Sequence, residues 1–251
     1  MISEINQYAF LDTNTILILH GWGWPASVPQ WVRVKELLEN QGYRVLVPDL
    51  PGFGKNPPPE KAWSIGDYVE WAREFCEKQG LSQVFLVGHS FGGRIAVKFT
   101  IKYPEELRKL ILCAPSGITP RRKTKIFLFS ILAKIGNAIF SLPLLKKIQP
   151  LVRKVIYFII REHDYYLAPG IMKETLKKVV KEDLKPYLDQ IKTSTLIIWG
   201  EKDTWLPVSD AYILKKEIKN STLEIIPNVD HGINLEAPEI LAEKILNFLK
   251  S

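Results

Sequence analysis

Six short runs of β-branched and aliphatic residues, at 15–20, 43–48, 83–88, 109–114, 195–200 and 222–227, recur along the chain, and almost every one is followed by turn residues and a helical pattern. The helical patterns lie at 30–40, 64–78, 91–102, 209–218 and 238–249, with apolar residues three and four apart. Ser64 and Pro238 stand where helix starts are expected. Strands separated by helices cannot pair as hairpins, so this order predicts an α/β fold: a mostly parallel, doubly wound sheet covered by helices on both faces.

The alternation breaks once. Between 116 and 190 helical patterns follow one another without a convincing strand, which reads as an all-helical cap inserted into a core formed by 1–115 and 191–251. That segment holds 15 Lys and Arg against 6 Asp and Glu, whereas the rest of the chain holds 19 against 21. The basic excess of the whole chain, +7, is therefore carried by the cap.

Composition narrows the function classes. With 46% apolar residues in 251, a large core is affordable. Cys76 and Cys113 lie far apart in apolar runs, so no disulfide framework is expected and a reducing compartment fits. His20, His89, His163 and His231 are too scattered for a zinc or haem site, and no metal is expected. Residues 1–10 lack a basic segment and an unbroken apolar stretch, which argues against export and for a cytoplasmic protein. The longest uncharged stretch in the apolar middle, 135–145, falls short of the roughly 18 residues a membrane span needs.

The chemistry is concentrated at three strand ends. The run at 83–88 leads directly into Gly88-His89-Ser90-Phe91-Gly92-Gly93 and then a helix, the context in which G-x-S-x-G forms a strained elbow that thrusts its serine above the sheet. A helix starting at that serine also aims unpaired N–H groups at the reacting centre, and Phe91 N–H is one expected oxyanion donor. A serine hydroxyl needs a base, and the base needs an orienting acid. The fifth run ends in Glu201-Lys202-Asp203-Thr204 and the sixth in Asp230-His231-Gly232. Carboxyl ends of parallel strands share one edge of the sheet, so Ser90, Asp203 and His231 are expected to converge there, in the chain order of this architecture. Glu201 competes with Asp203 for the acid's role; Asp230 adjoins His231, and consecutive side chains point apart. His89 reads as a packing and hydrogen-bonding residue, and His163 as solvated. His20-Gly21-Trp22-Gly23 follows the first strand and offers Trp22 N–H as the second oxyanion donor.

Taken together, H-G-W-G at 20–23, D-L-P-G-F-G at 49–54, G-H-S-F-G-G at 88–93, W-G-E-K-D at 199–203 and D-H-G at 230–232 resemble the α/β-hydrolase superfamily, in its cap-bearing serine esterase-like branch. The resemblance covers nearly all of the chain except the cap. It implies an eight-stranded sheet, an acyl-enzyme mechanism and no cofactor; the two additional strands would have to come from 2–11. It also implies that Asp49 shapes a loop and is not catalytic.

The expected reaction is hydrolysis of a small-molecule carboxylic ester, with activity falling toward acid pH as the imidazole base is protonated. The aspartate-nucleophile branches of the superfamily are disfavoured by Ser90. Thioesterase, C–C bond hydrolase, lactonase, perhydrolase-like and acyl-carrier methyl ester esterase activities use the same triad. Apolar runs at 126–129, 139–140 and 157–160 suggest an acyl pocket, although most of these residues suffice to pack cap helices together. The basic residues Arg121-Arg122-Lys123, Lys146-Lys147 and Arg153-Lys154 could draw an acidic carrier protein or an anionic membrane surface, or else form a solvated face. They follow no nucleic-acid reading motif. Two rival classes carry less. An NAD-dependent oxidoreductase is suggested by G-x-G-x-x-A at 21–26 with Asp49 beyond it, but Trp22 and Trp24 put bulk where a pyrophosphate needs bare backbone. A non-catalytic binding protein on a hydrolase scaffold leaves the full catalytic set unexplained.

Overall fold

The computed structural model describes residues 14–23, 28–118 and 170–251. Among these residues six strands form one sheet: β1 (Thr15–Leu19), β2 (Arg44–Leu46), β3 (Val84–His89), β4 (Leu107–Cys113), β5 (Thr195–Gly200) and β6 (Ser221–Ile226). Their order is β2-β1-β3-β4-β5-β6, and every pairing is parallel. The inner strands β1, β3 and β5 are buried along their whole length, the continuous apolar run of a strand covered on both faces. Among the described strands β2 and β6 are outermost, and they carry the charged residues Arg44 and Glu224.

The helices are α1 (Val32–Glu39), α2 (Ile65–Lys78), α3 (Phe91–Lys102), α4 (Gly170–Lys181), α5 (Ser209–Glu217), α6 (Ile233–Glu236) and α7 (Pro238–Lys250). Helix α3 packs on β1, β3 and β4 and alongside α2; α5 lies on β5 and β6; α1 packs against α7. Ser64 caps α2 in a reciprocal box, its hydroxyl accepting from Asp67 N–H while the Asp67 carboxylate accepts from Ser64 N–H at 2.7 Å.

Two boundaries differ from the sequence expectation. The segment expected as one helix from 30 begins as a 3-10 turn at Val28–Trp31 and becomes α-helical only at Val32. The run at 43–48 shortens to Arg44–Leu46, because Pro48 has no N–H to give to the ladder. The segment 2–11, the basic groups at 121–123, 146–147 and 153–154, the apolar runs at 126–160 and His163 all lie outside the described residues. Of the segment assigned to the cap, the described end is helical: α4 is followed by a 3-10 helix, Lys185–Gln190.

The chain lays down β1, steps outward to β2, then returns to the other side of β1 for β3. That reversal leaves a crevice beyond the carboxyl ends of β1 and β3, the place where open parallel sheets hold their ligands. His20 and His89-Ser90 close those two ends.

Candidate active site

Ser90 sits between β3 and α3 with φ 51° and ψ −109°, a conformation that costs a non-glycine residue about 1–3 kcal/mol and persists only where neighbours over-determine it. They do so here. Ser90 N–H donates to Cys113 C=O at the end of β4, and Ser90 C=O accepts from Ser116 N–H. The flanking glycines are a steric requirement: a Cβ on Gly92 would come within 2.0 Å of the Leu19 carbonyl oxygen, and one on Gly88 within 2.7 Å of Gly92 O and Ala96 Cβ. This close approach lets Gly92 N–H donate to His20 C=O, tying the start of α3 to the end of β1.

The loop after β1 is stiffened by a neutral histidine. His20 Nδ1–H donates to Gly21 C=O at 2.7 Å, while Nε2 accepts from Leu50 N–H at 3.0 Å. An imidazolium could not accept at Nε2, and burial pushes this histidine down to about 4. Asp49 shapes the adjoining loop, its carboxylate accepting from Lys55 N–H and its carbonyl from the Asn56 side chain. Phe53 from that loop meets Trp22 edge to face at 4.9 Å, and Trp22 meets Phe91 at 5.1 Å. The two residues expected to supply oxyanion donors, Trp22 and Phe91, are therefore in ring contact beside Ser90. Phe91 is the first residue of α3, a position whose N–H has no partner within the helix.

Asp203 and His231, 28 residues apart, are brought together: Asp203 Oδ2 accepts from His231 Nδ1–H at 2.8 Å. The Asp203 side chain has no exposure and that of His231 14%, so the pair lies largely out of water. Asp203 Oδ1 accepts from both Trp205 N–H and Leu206 N–H at 2.8 Å. Three donors thus offset the desolvation of one buried carboxylate. With the proton on Nδ1, the Nε2 lone pair of His231 is left to act as a base.

The competing carboxylates are occupied elsewhere. Glu201 accepts from Asn228 N–H, joining the β5 and β6 loops. Asp230 accepts from Thr204 N–H, the Thr204 hydroxyl and His231 N–H. Burial alone would raise the Asp230 carboxyl; the hydrogen bonds from Thr204 and His231 hold it below its ordinary value instead. It braces the backbone of His231 and does not meet the ring.

His89 packs and hydrogen-bonds at the base of the site. Its Nε2–H donates to His231 C=O at 3.0 Å, its ring lies 5.0 Å from the His231 ring, and burial, with His231 nearby, pushes it down to about 3. Trp205, half-exposed, stacks nearly parallel to His231 at 5.9 Å. The packing and hydrogen bonding expected of His89 are thus found, and the structure adds the partner, the His231 carbonyl. Nothing local in the sequence marked Trp205.

Among the described residues no group of His, Cys, Asp and Glu could hold a metal ion, and no helix is long and apolar enough to cross a membrane. Cys76 and Cys113 are both buried and neither is in a disulfide, and burial pushes the Cys113 thiol up to about 12.

The profile of a family described as alpha/beta hydrolase fold matches residues 14–134. A 2-hydroxy-6-oxononadienedioate/2-hydroxy-6-oxononatrienedioate hydrolase of Klebsiella pneumoniae is 28% identical, over 94% of this chain and 87% of its own. A monoacylglycerol lipase of Homo sapiens is 28% identical, over 94% of this chain and 75% of its own. Among solved structures, an esterase from Exiguobacterium antarcticum superposes with a TM-score of 0.71 at 25% identity, covering 95% of this chain and 92% of the esterase.

Proposed function

The chain belongs to the α/β-hydrolase superfamily, and from that premise we propose that it hydrolyses small-molecule carboxylic esters through Ser90, His231 and Asp203. The observation that carries this reading is the buried 2.8 Å contact between Asp203 and His231 Nδ1, which fixes the tautomer a base needs. Ser90 Oγ attacks the ester carbonyl as His231 Nε2 takes its proton. The oxyanion is held by Trp22 N–H and Phe91 N–H. The protonated His231 returns the proton to the leaving alcohol, and water activated by the same nitrogen then releases the acid. Asp203 stays ionised throughout and stabilises the imidazolium. The partly exposed Trp22, seated on the buried rings of Phe53 and Phe91, favours an apolar acyl group, and the lipase and esterase relatives support ester chemistry. Two buried cysteines outside any disulfide suit a reducing, cytoplasmic setting.

A second reading, C–C bond hydrolysis, is favoured by the Klebsiella relative, which matches this chain over nearly its whole length. Both readings need Ser90, and the substrate separates them. Incubation with a fluorophosphonate probe followed by intact mass measurement should add one adduct to the native protein and none to Ser90→Ala. Absence of the native adduct would overturn both readings. Turnover of p-nitrophenyl esters without turnover of 2-hydroxy-6-oxononadienedioate is expected, and the reverse outcome would replace the ester reading with the second.

A further inference from the structure

Arg94 stands one helical turn beyond Ser90 in α3, and it is a buried cation, 6% exposed. A guanidinium taken out of water needs acceptors in good geometry. Its Nε–H donates to Ser116 Oγ at 2.8 Å, and its NH1 donates to Val179 C=O at 2.7 Å and Glu182 C=O at 2.8 Å. These two carbonyls stand at and just beyond the C-terminal end of α4, where the helix dipole is negative; that of Val179 also accepts from Glu182 N–H at 3.3 Å. The cation thus caps α4 from within the core.

Ser116 passes the contact on. Its hydroxyl accepts from Arg94 and donates to Ser90 C=O at 3.3 Å, and its backbone N–H donates to that same carbonyl at 3.0 Å. The direction of that carbonyl is set by ψ of Ser90, which with φ 51° defines the strained geometry that aims the side chain. A strained residue relaxes when its restraints are removed. The two described stretches flanking 119–169, at Ser116–Ile118 and Gly170–Leu184, are joined as well, Leu184 N–H donating to Gly117 C=O. Helix α4 in turn touches the loop that carries Phe53. Met172 packs over Gly52, and Thr175 Oγ1 accepts from Trp63 N–H.

We propose that Arg94 is a positioning residue of the hydrolase reaction: through the Ser116 hydroxyl it holds the carbonyl of Ser90, and through Val179 and Glu182 it keeps α4 in register with it. The proposal rests on Ser90 being the nucleophile. It assigns to one buried side chain both the aim of Ser90 and the seating of the helix that packs on the loop of Gly52 and Phe53.

The test is a double-mutant cycle read by the second-order rate of fluorophosphonate labelling at 25 °C, on proteins whose folding is checked by circular dichroism. Arg94→Met should label about tenfold and Ser116→Ala about fivefold more slowly than native, and the double variant no more slowly than Arg94→Met alone, because both sever one relay. Ser116→Thr, which keeps the hydroxyl, should restore the native rate, whereas loss of fold stability alone would not distinguish the two Ser116 variants. Effects that multiply to about fiftyfold, or a native rate in Arg94→Met, would overturn the proposal. Should Arg94→Met not fold, Arg94→Lys takes its place in the cycle with the same two outcomes. A native protein that takes no label fails the catalytic reading itself, a result distinct from additive labelling.

Discussion

His89 Nε2–H donates to the backbone carbonyl of His231 across 3.0 Å, so the residue bonded covalently to Ser90 is also hydrogen-bonded to the candidate base. One side chain thereby spans the strand ends of β3 and β6, 142 residues apart. Substituting His89→Phe keeps a ring but removes the donor. A carbonyl left unpaired costs about 1–3 kcal/mol, so kcat for a p-nitrophenyl ester should fall roughly tenfold with little change in KM. His89→Gln, which can still donate, should lose less, and equal losses in the two variants would show that the ring's volume matters and the bond does not.

Asp203 and Asp230 both lie close to His231, but only Asp203 meets its ring. Asp203→Asn should lower kcat roughly ten-thousand-fold by favouring the wrong imidazole tautomer. Asp230→Asn, which disturbs only the backbone brace at Thr204 and His231 N–H, should cost about tenfold at most. Steady-state kinetics on the two variants check this; a larger loss in Asp230→Asn would transfer the acid's role.

His20 and His89 are buried as neutral rings, held at about 4 and about 3. Both values lie below the ordinary 6.5, so as pH falls from 6.5 the unfolded chain takes up protons that the folded one refuses. The stability tied to their neutrality is complete above pH 6.5 and is lost as pH falls toward 4 and 3, at roughly 2–3 kcal/mol per histidine by pH 4.5. Urea midpoints should therefore drop between pH 7 and 4.5. NMR titration of the folded protein should show both rings neutral at pH 5.5; midpoints near 6.5 for either would contradict their buried, hydrogen-bonded state.

Gly92→Ala would place a methyl 2.0 Å from the Leu19 carbonyl oxygen, backbone that cannot move without breaking the sheet at β1. A loss of roughly 3–5 kcal/mol is expected, together with loss of labelling at Ser90, because α3 must shift away from β1. A variant melting within about 2 °C of native would mean that the approach of α3 to β1 is looser than its hydrogen bond at 3.0 Å indicates.

The alternation of strand and helix was legible along the chain because each element writes its own period into a dozen residues. The parallel α/β sheet, Ser64 as a cap and Ser90 at a strand-to-helix turn were readable for that reason. So was the placing of Asp203 and His231 after successive strands, since parallel strands deliver their carboxyl ends to one edge. Where local signals conflicted, reading stopped short: Pro48 ended β2 early, and the approach to α1 began as a 3-10 turn.

What tertiary structure alone decided is which groups touch. Glu201, Asp203 and Asp230 are equivalent as carboxylates within 30 residues of chain. They separate only because the folded loops give Asn228 to the first, the imidazole to the second and Thr204 to the third. Arg94 looks in sequence like one more surface cation on an amphipathic helix. It is buried because the end of α4, 85 and more residues away, presents the carbonyls of Val179 and Glu182 to it. Periodicity is a property of neighbours in the chain, whereas a hydrogen bond between distant segments depends on where the whole sheet brings them.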